Sequence, residues 1–146
     1  MESLISQQFK NLFLTGALLL TVLFGFSQDS GLSITVTIDN VNNDNGKVIM
    51  GLHTKDTFMK SAGIMNSTSE IKDGKVSITF DNVKPGNYAI MALHDENENG
   101  RMDFIDNGMP KESYGMSNNP MSFGPPVYED AEFTVSDENL ELHIRF

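Results

Sequence analysis

Residues Asp95 to Asp106 read D-E-N-E-N-G-R-M-D-F-I-D. A twelve-position calcium loop asks for oxygen side chains at positions 1, 3 and 5, glycine at 6 and a backbone carbonyl at 7. It also asks for a direct or water-mediated ligand at 9 and a carboxylate at 12. Asp95, Asn97, Asn99, Gly100, Arg101 (through its carbonyl), Asp103 and Asp106 fill those positions in order. Calcium is a hard cation that takes about 6 to 8 oxygens, and alternating oxygen side chains on one tight turn supply them from a short segment. Gly100 permits the positive φ that closes such a turn. Two features depart from the pattern. Asp106 stands where glutamate is usual, and an extended segment rather than a helix leads into the loop. An Asx-rich turn that binds nothing is the competing reading, because Asp and Asn also stabilise turns through their own backbone.

Other chemistry-bearing residues are sparser. His94 precedes the loop, and His53 and His143 stand on other strand-like segments with no short-range pairing. They are read as structural or surface residues rather than a zinc site. Met102, Met109, Met116 and Met121 crowd one region, and thioethers can bind Cu(I); packing is the simpler account. The chain has no Cys. It therefore has no thiol nucleophile and no disulfide, and no lipid anchor on cysteine. G-x-S-x-G, the P-loop and H-E-x-x-H are all absent from the sequence. An enzyme of unknown type, for instance a hydrolase using His94 and neighbouring carboxylates, is kept as the alternative to a binding or structural module.

The elements that position the acidic loop are strands. Leu32, Ile34, Val36 and Ile38 alternate with polar residues, as do Val76, Ile78 and Phe80, and Leu140, Leu142, Ile144 and Phe146. Period-two alternation marks half-buried strands. Lys47 to His53 and Asn87 to His94 are apolar on both faces and are expected to be central; Ala131 to Ser136 alternates more weakly. Asn42 to Gly46 is expected to join the first two strands as a hairpin, and Asp137 to Asn139 to join the last two. Thr54 to Ser69 reads as a short helix or an irregular crossover. Asp95 to Asp130 has no alternating run but carries Phe104, Ile105, Tyr114, Phe123 and Tyr128. A loop this long in a compact domain is usually functional or disordered, and aromatics argue for order. The expectation is an all-β fold: a single antiparallel β-sandwich of about seven strands, Ig-like or transthyretin-like, with one long ordered loop over one end.

At the N-terminus, Lys10 is followed by the uncharged, apolar run Asn11 to Phe26. This is the pattern of a signal peptide covering residues 1–27, with the sandwich domain at 28–146. A membrane span needs about 20 apolar residues, more than this run offers, so no stable anchor is expected after cleavage; an uncleaved N-terminal anchor is the competing reading. An exported protein follows, placed in the periplasm, on the outer-membrane surface or outside the cell. The whole chain carries a formal charge of −10, unchanged by loss of Glu2 and Lys10 with the leader. Such a surface disfavours nucleic acid and anionic lipid and suits cations or basic partners.

Val83-Lys84-Pro85-Gly86-Asn87-Tyr88-Ala89, His94 to Gly100 with Asp103, Gly108 to Glu112, Tyr114 to Asn119, Phe133 and the closing strand together resemble domain-of-unknown-function family 2141, a family of small exported bacterial proteins. Met109 and Met116 stand where an aliphatic residue and Phe are expected, which favours packing over copper. The Pro-Gly-x-Tyr entry to a strand is also similar to transthyretin-like and carboxypeptidase-regulatory-like sandwiches, and implies a binding or structural module. The expected function is an exported module with a structural calcium, whose loop offers His94, Tyr114, Asn118, Asn119 and Phe123 to a protein or glycan ligand.

Overall fold

The computed structural model describes residues 31–121 and 124–146. The leader expected at 1–27 and the surface residue Phe123 lie outside the described residues. Eight strands form in chain order: β1 (Leu32–Ile38), β2 (Lys47–His53), β3 (Met65–Glu70), β4 (Val76–Val83), β5 (Gly86–Asp95), β6 (Tyr114–Met116), β7 (Phe133–Val135) and β8 (Leu140–His143). A single turn of helix, α1 (Tyr128–Ala131), precedes β7. One sheet has the order β4-β1-β8. The other has the order β3-β2-β5, with β6 and β7 pairing with opposite halves of the long β5.

Alternation dictates the core. Ile34, Val36 and Ile38 of β1, Val76, Ile78 and Phe80 of β4, and Val48, Met50 and Leu52 of β2 turn one face inward. Ile90 and Ala92 of β5 and Val135 of β7 meet them, and Ile144 closes the stack just beyond β8. Thr35 and Thr79, opposite each other on the outer face of the smaller sheet, share a 3.0 Å hydroxyl hydrogen bond.

Four expectations are corrected. The Asn42–Gly46 segment is not a hairpin, because β1 pairs with β4 and β8 whereas β2 pairs with β3 and β5. The segment crosses between sheets and is pinned by Asp44, whose carboxylate accepts N–H bonds from Asp73 (3.0 Å) and Gly74 (2.8 Å). The sandwich is not wholly antiparallel: β8 runs parallel to β1, with Ile34 opposite Leu140 and Thr37 opposite His143. The chain changes sheet between β7 and β8, which allows that direction. Met65–Glu70 is a strand; its sequence MNSTSE lies on an edge with one partner, so little burial marks it. Finally, the long segment does not cap an end. It returns as β6 beside β5 and then lies along the outer face of the larger sheet.

That outer face has its own small core. Phe58, carried on a tight turn after β2, packs edge-on against Tyr128 at 5.7 Å between ring centres. Ala89, Met116 and Ala131 complete the cluster, with Met91 and Tyr114 against it. Ser117 locks the segment. Its hydroxyl accepts the Ile90 N–H at 3.0 Å and donates to the Ala131 carbonyl.

Candidate functional site

β5 delivers the acidic loop at its C-terminal end. Asp95 is fully buried, and its two carboxylate oxygens accept N–H bonds from Asn99 (3.0 Å) and Gly100 (2.8 Å). Asn97 Oδ1 accepts the Asn99 N–H at 3.1 Å, and Asn99 Oδ1 accepts the Arg101 N–H at 3.0 Å. Gly100 sits at φ +78° with open space where a side chain would be, so its conformation, not crowding, calls for glycine.

Three side chains meet on this turn. Asn97 Nδ2 donates to Asp103 at 2.6 Å, and Asn99 Nδ2 lies 3.1 and 3.0 Å from the two Asp103 oxygens. The Asn97 amide first, then the Asn99 amide, hold the Asp103 carboxyl below the usual carboxylate range. Positions 3, 5 and 9 of the calcium pattern are thus brought together. Asp106 is not joined to them by any hydrogen bond among the described residues. It lies on a separate exposed turn, closed by the Ile105 N–H to Met109 carbonyl (3.0 Å) and Gly108 N–H to Ile105 carbonyl (2.8 Å) bonds.

The hairpin around that turn brings back a residue that the twelve-position reading missed. Glu112 is buried, and its carboxylate accepts the Glu96 N–H at 3.0 Å and the Asp103 N–H at 3.1 Å. It clamps both limbs of the loop and shares a small cleft with Glu96, Asn97, Asp103 and Lys111. Its distance in sequence from Asp95 hid it, and the only signal was its place in the family-like Gly108–Glu112 run. Among the described residues, no group of three or more His, Asp or Glu side chains gathers in metal-binding geometry. The convergence here is of two amides and one carboxylate, with a second carboxylate at its rim.

The remaining predicted residues divide. His94 is fully buried on the core face of β5 and stacks on Phe146, so it belongs to no ligand surface and can touch no substrate. Its Nε2 lies 2.8 Å from the Asn45 carbonyl, and its Nδ1 has no hydrogen-bond partner among the described residues, with Glu96 Oε1 at 3.8 Å. A base role for a hydrolase is therefore not available to it. Asn118 and Asn119 both take positive φ and spend their side chains on backbone. Asn118 donates to the Glu132 carbonyl (2.8 Å); Asn119 donates to the His143 carbonyl (2.8 Å) and accepts the Arg145 N–H (2.8 Å). They are staples. The methionines do not gather either: Met116 is buried, whereas Met109 and Met121 are exposed.

Of the predicted surface residues, Tyr114 lines a large apolar concavity. This cavity, of about 390 Å³, lies on the outer sheet face beside the acidic loop. Ile49, Gly51, Met91 and Leu93 form its floor, and Met102 and Phe104 from the loop stand at its wall.

The acidic loop and most of its scaffold fall inside one family match. The model described as "Uncharacterized protein conserved in bacteria (DUF2141)" covers residues 36–143, and the chain belongs to that family. Comparison with curated proteins finds no match. Comparison with solved structures finds none.

Proposed function

We propose that this protein is an exported binding module whose acidic loop is ordered by one calcium ion. The observation that carries the reading is the meeting of the Asn97, Asn99 and Asp103 side chains within hydrogen-bond distance of one another. In the arrangement described, two amide N–H₂ groups face the Asp103 carboxylate. A half-turn of each amide puts oxygen there instead, the donor a hard cation requires, and gives up the Asn97 bond to the Asn99 N–H and the Asn99 bond to the Arg101 N–H. Asn97, Asn99, the Arg101 carbonyl and Asp103 would hold the ion, and Asp95 would shape the turn through its two N–H bonds. Glu112 rather than Asp106 is the better-placed closing carboxylate, since it already abuts the Asp103 backbone. Lys111 at the cleft argues for modest affinity.

Export is supported by the basic residue and apolar run at Lys10 to Phe26, and the destination is the periplasm, the outer-membrane surface or the exterior. Free calcium outside the cytosol suits a weak structural site. The ordered loop would then hold its share of the cavity wall, where Tyr114 lies. Equilibrium dialysis of the full chain against calcium chloride tests the reading. One ion per chain with a dissociation constant of about 10⁻⁴ to 10⁻³ M is expected. No bound calcium at 10 mM (a concentration of about ten times the weaker constant) returns the loop to an Asx-rich turn.

A further inference from the structure

The outer face of the larger sheet is sealed at one end and open beside it. Phe58, Tyr128 and Ala131 cover the stretch around Ala89. The next two cross-strand pairs, Gly51 with Met91 and Ile49 with Leu93, form the floor of the cavity of about 390 Å³. That volume is in the range of small-molecule sites. A strand face buried against nothing would normally be polar; this one is aliphatic.

The lining decides what fits. No charged side chain lines the cavity among the described residues, and the chain carries a formal charge of −10. A carboxylate, phosphate or sulfate would enter without a partner and against the field. A glycan would bring many hydroxyls to walls with few groups to bond them. Met59 and Phe104 keep 56% and 61% of their surface exposed at the rim. Thioether chains there can adapt to an irregular apolar shape.

Two polar side chains, His53 and Asn66, stand over Gly51 on the apolar floor; the Asn66 amide is bonded to the Gly63 N–H and carbonyl, which leaves His53 Nε2 to a ligand. A Cβ on Gly51 would fall 2.6 Å from His53 Nε2, so the glycine leaves room for that imidazole edge over the floor. His53 Nδ1 is 3.3 Å from the Thr57 hydroxyl. Burial lowers the His53 pKa, which keeps the ring neutral. A neutral imidazole nitrogen offers one hydrogen bond.

The geometry points to a binding site for one neutral, largely apolar small molecule with a single hydrogen-bonding group. It would seat on Gly51 and Met91 and bring that group to His53 Nε2. The inference rests on the binding-module reading above but not on calcium.

A matched pair of fluorescent probes tests it. N-phenyl-1-naphthylamine is neutral; 1-anilinonaphthalene-8-sulfonate has the same skeleton with an anionic group. Titrated into the full chain, the neutral probe should bind one per chain, with a constant on the order of 10 to 100 µM for about 17 heavy atoms. The sulfonate should bind at least about tenfold more weakly. 1-Decanol should displace the neutral probe, and decanoate should not. Met91→Glu puts a charge on the floor and should weaken binding about tenfold or more. Phe104→Ser removes an exposed wall residue without touching the core and should weaken it about threefold or more. Ile105→Ser, also exposed but outside the lining, should leave it unchanged.

Absence of saturable binding by the neutral probe, equal binding of the sulfonate, or wild-type affinity in both Met91→Glu and Phe104→Ser would overturn the proposal. A dimer in sedimentation velocity that Phe104→Ser dissolves would assign the face to a second copy and overturn it too. Neutral-probe binding that is equal in EDTA and calcium keeps this proposal while counting against the calcium-ordered wall. A calcium-dependent melt without probe binding removes this proposal alone.

Discussion

Glu112→Ala should loosen the acidic loop and destabilise the domain even without metal. The side chain is 6% exposed, and its carboxylate accepts two backbone N–H bonds, from Glu96 at 3.0 Å and Asp103 at 3.1 Å. Hydrogen bonds to a charged acceptor contribute about 1.5 to 3 kcal/mol each. Both N–H groups are part-buried, so water reaches them once the side chain is gone, and each bond is set at about 1 to 2 kcal/mol, around the low end of that range. The expected loss is about 2 to 4 kcal/mol. For a domain of this size that lowers the melting midpoint by about 6 to 20 °C. Glu112→Gln keeps the volume and one acceptor but turns an N–H₂ toward the other N–H, so it should lose about half as much. Urea unfolding followed by circular dichroism, in EDTA throughout, gives both values. Hydrogen exchange should show the Glu96 and Asp103 amides both losing protection in Glu112→Ala and one of the two losing it in Glu112→Gln. Glu129→Ala, which breaks only the exposed pair with Lys55, should leave the midpoint unmoved. Stability within about 0.5 kcal/mol of wild type for Glu112→Ala would refute the clamp.

Ser117→Ala strands the buried Ile90 N–H and Ala131 carbonyl and should cost about 1 to 3 kcal/mol by the same unfolding assay. Gly115→Ala should be severe, because the added Cβ would fall 2.3 Å from the Arg145 carbonyl oxygen and 2.7 Å from Ile144. A loss above about 2 kcal/mol is expected. Gly100→Ala meets no atom and carries only the penalty of positive φ, about 1 to 2 kcal/mol. Equal losses at the two glycines would contradict the close approach at Gly115. N-terminal sequencing of protein from the envelope or medium should begin near Gln28, whereas an intact Met1 in the membrane fraction would mark an uncleaved anchor.

Burial made most of the fold legible. Where one face of a strand meets the core, as in β1 and β4, alternation names it; where both faces are covered, as in β2 and β5, a continuous apolar run does. Those two do lie centrally in the larger sheet. β3 and β6 were not legible because an edge strand and a three-residue strand bury too little to leave a period. Sheet membership was hidden for another reason. Asn42–Gly46 has hairpin-like composition, yet the hold on it is Asp44 bonding the distant Asp73–Gly74 turn, a contact that no local pattern encodes. At the site, the Asp95–Asp103 turn followed from spacing because its bonds are local. Glu112 did not, since a hairpin returns it from beyond Asp106. His94 and the two asparagines of β6's exit have polar side chains that suggest a surface, but folding commits them to backbone carbonyls, backbone N–H groups and an aromatic stack. The cavity was invisible in sequence because its floor is the outer face of strands whose apolar runs read simply as buried.

Thermal melting of the full chain in EDTA, calcium or magnesium tests the calcium-ordered loop most directly, with Asp95→Ala and Glu96→Ala alongside. With a dissociation constant near 0.1 mM and about 10 mM free calcium, linkage gives about 2.7 kcal/mol of stabilisation. The midpoint should rise by roughly 5 to 15 °C. Asp95→Ala also breaks the Asn99 and Gly100 N–H bonds, so it melts lower in EDTA; the reading is the calcium-induced shift, most of which should vanish. Glu96→Ala keeps its backbone N–H on Glu112 and should keep the shift. Magnesium should raise the midpoint less than calcium, because it gives up its waters reluctantly. A wild-type midpoint that is the same in EDTA and in calcium would contradict the account.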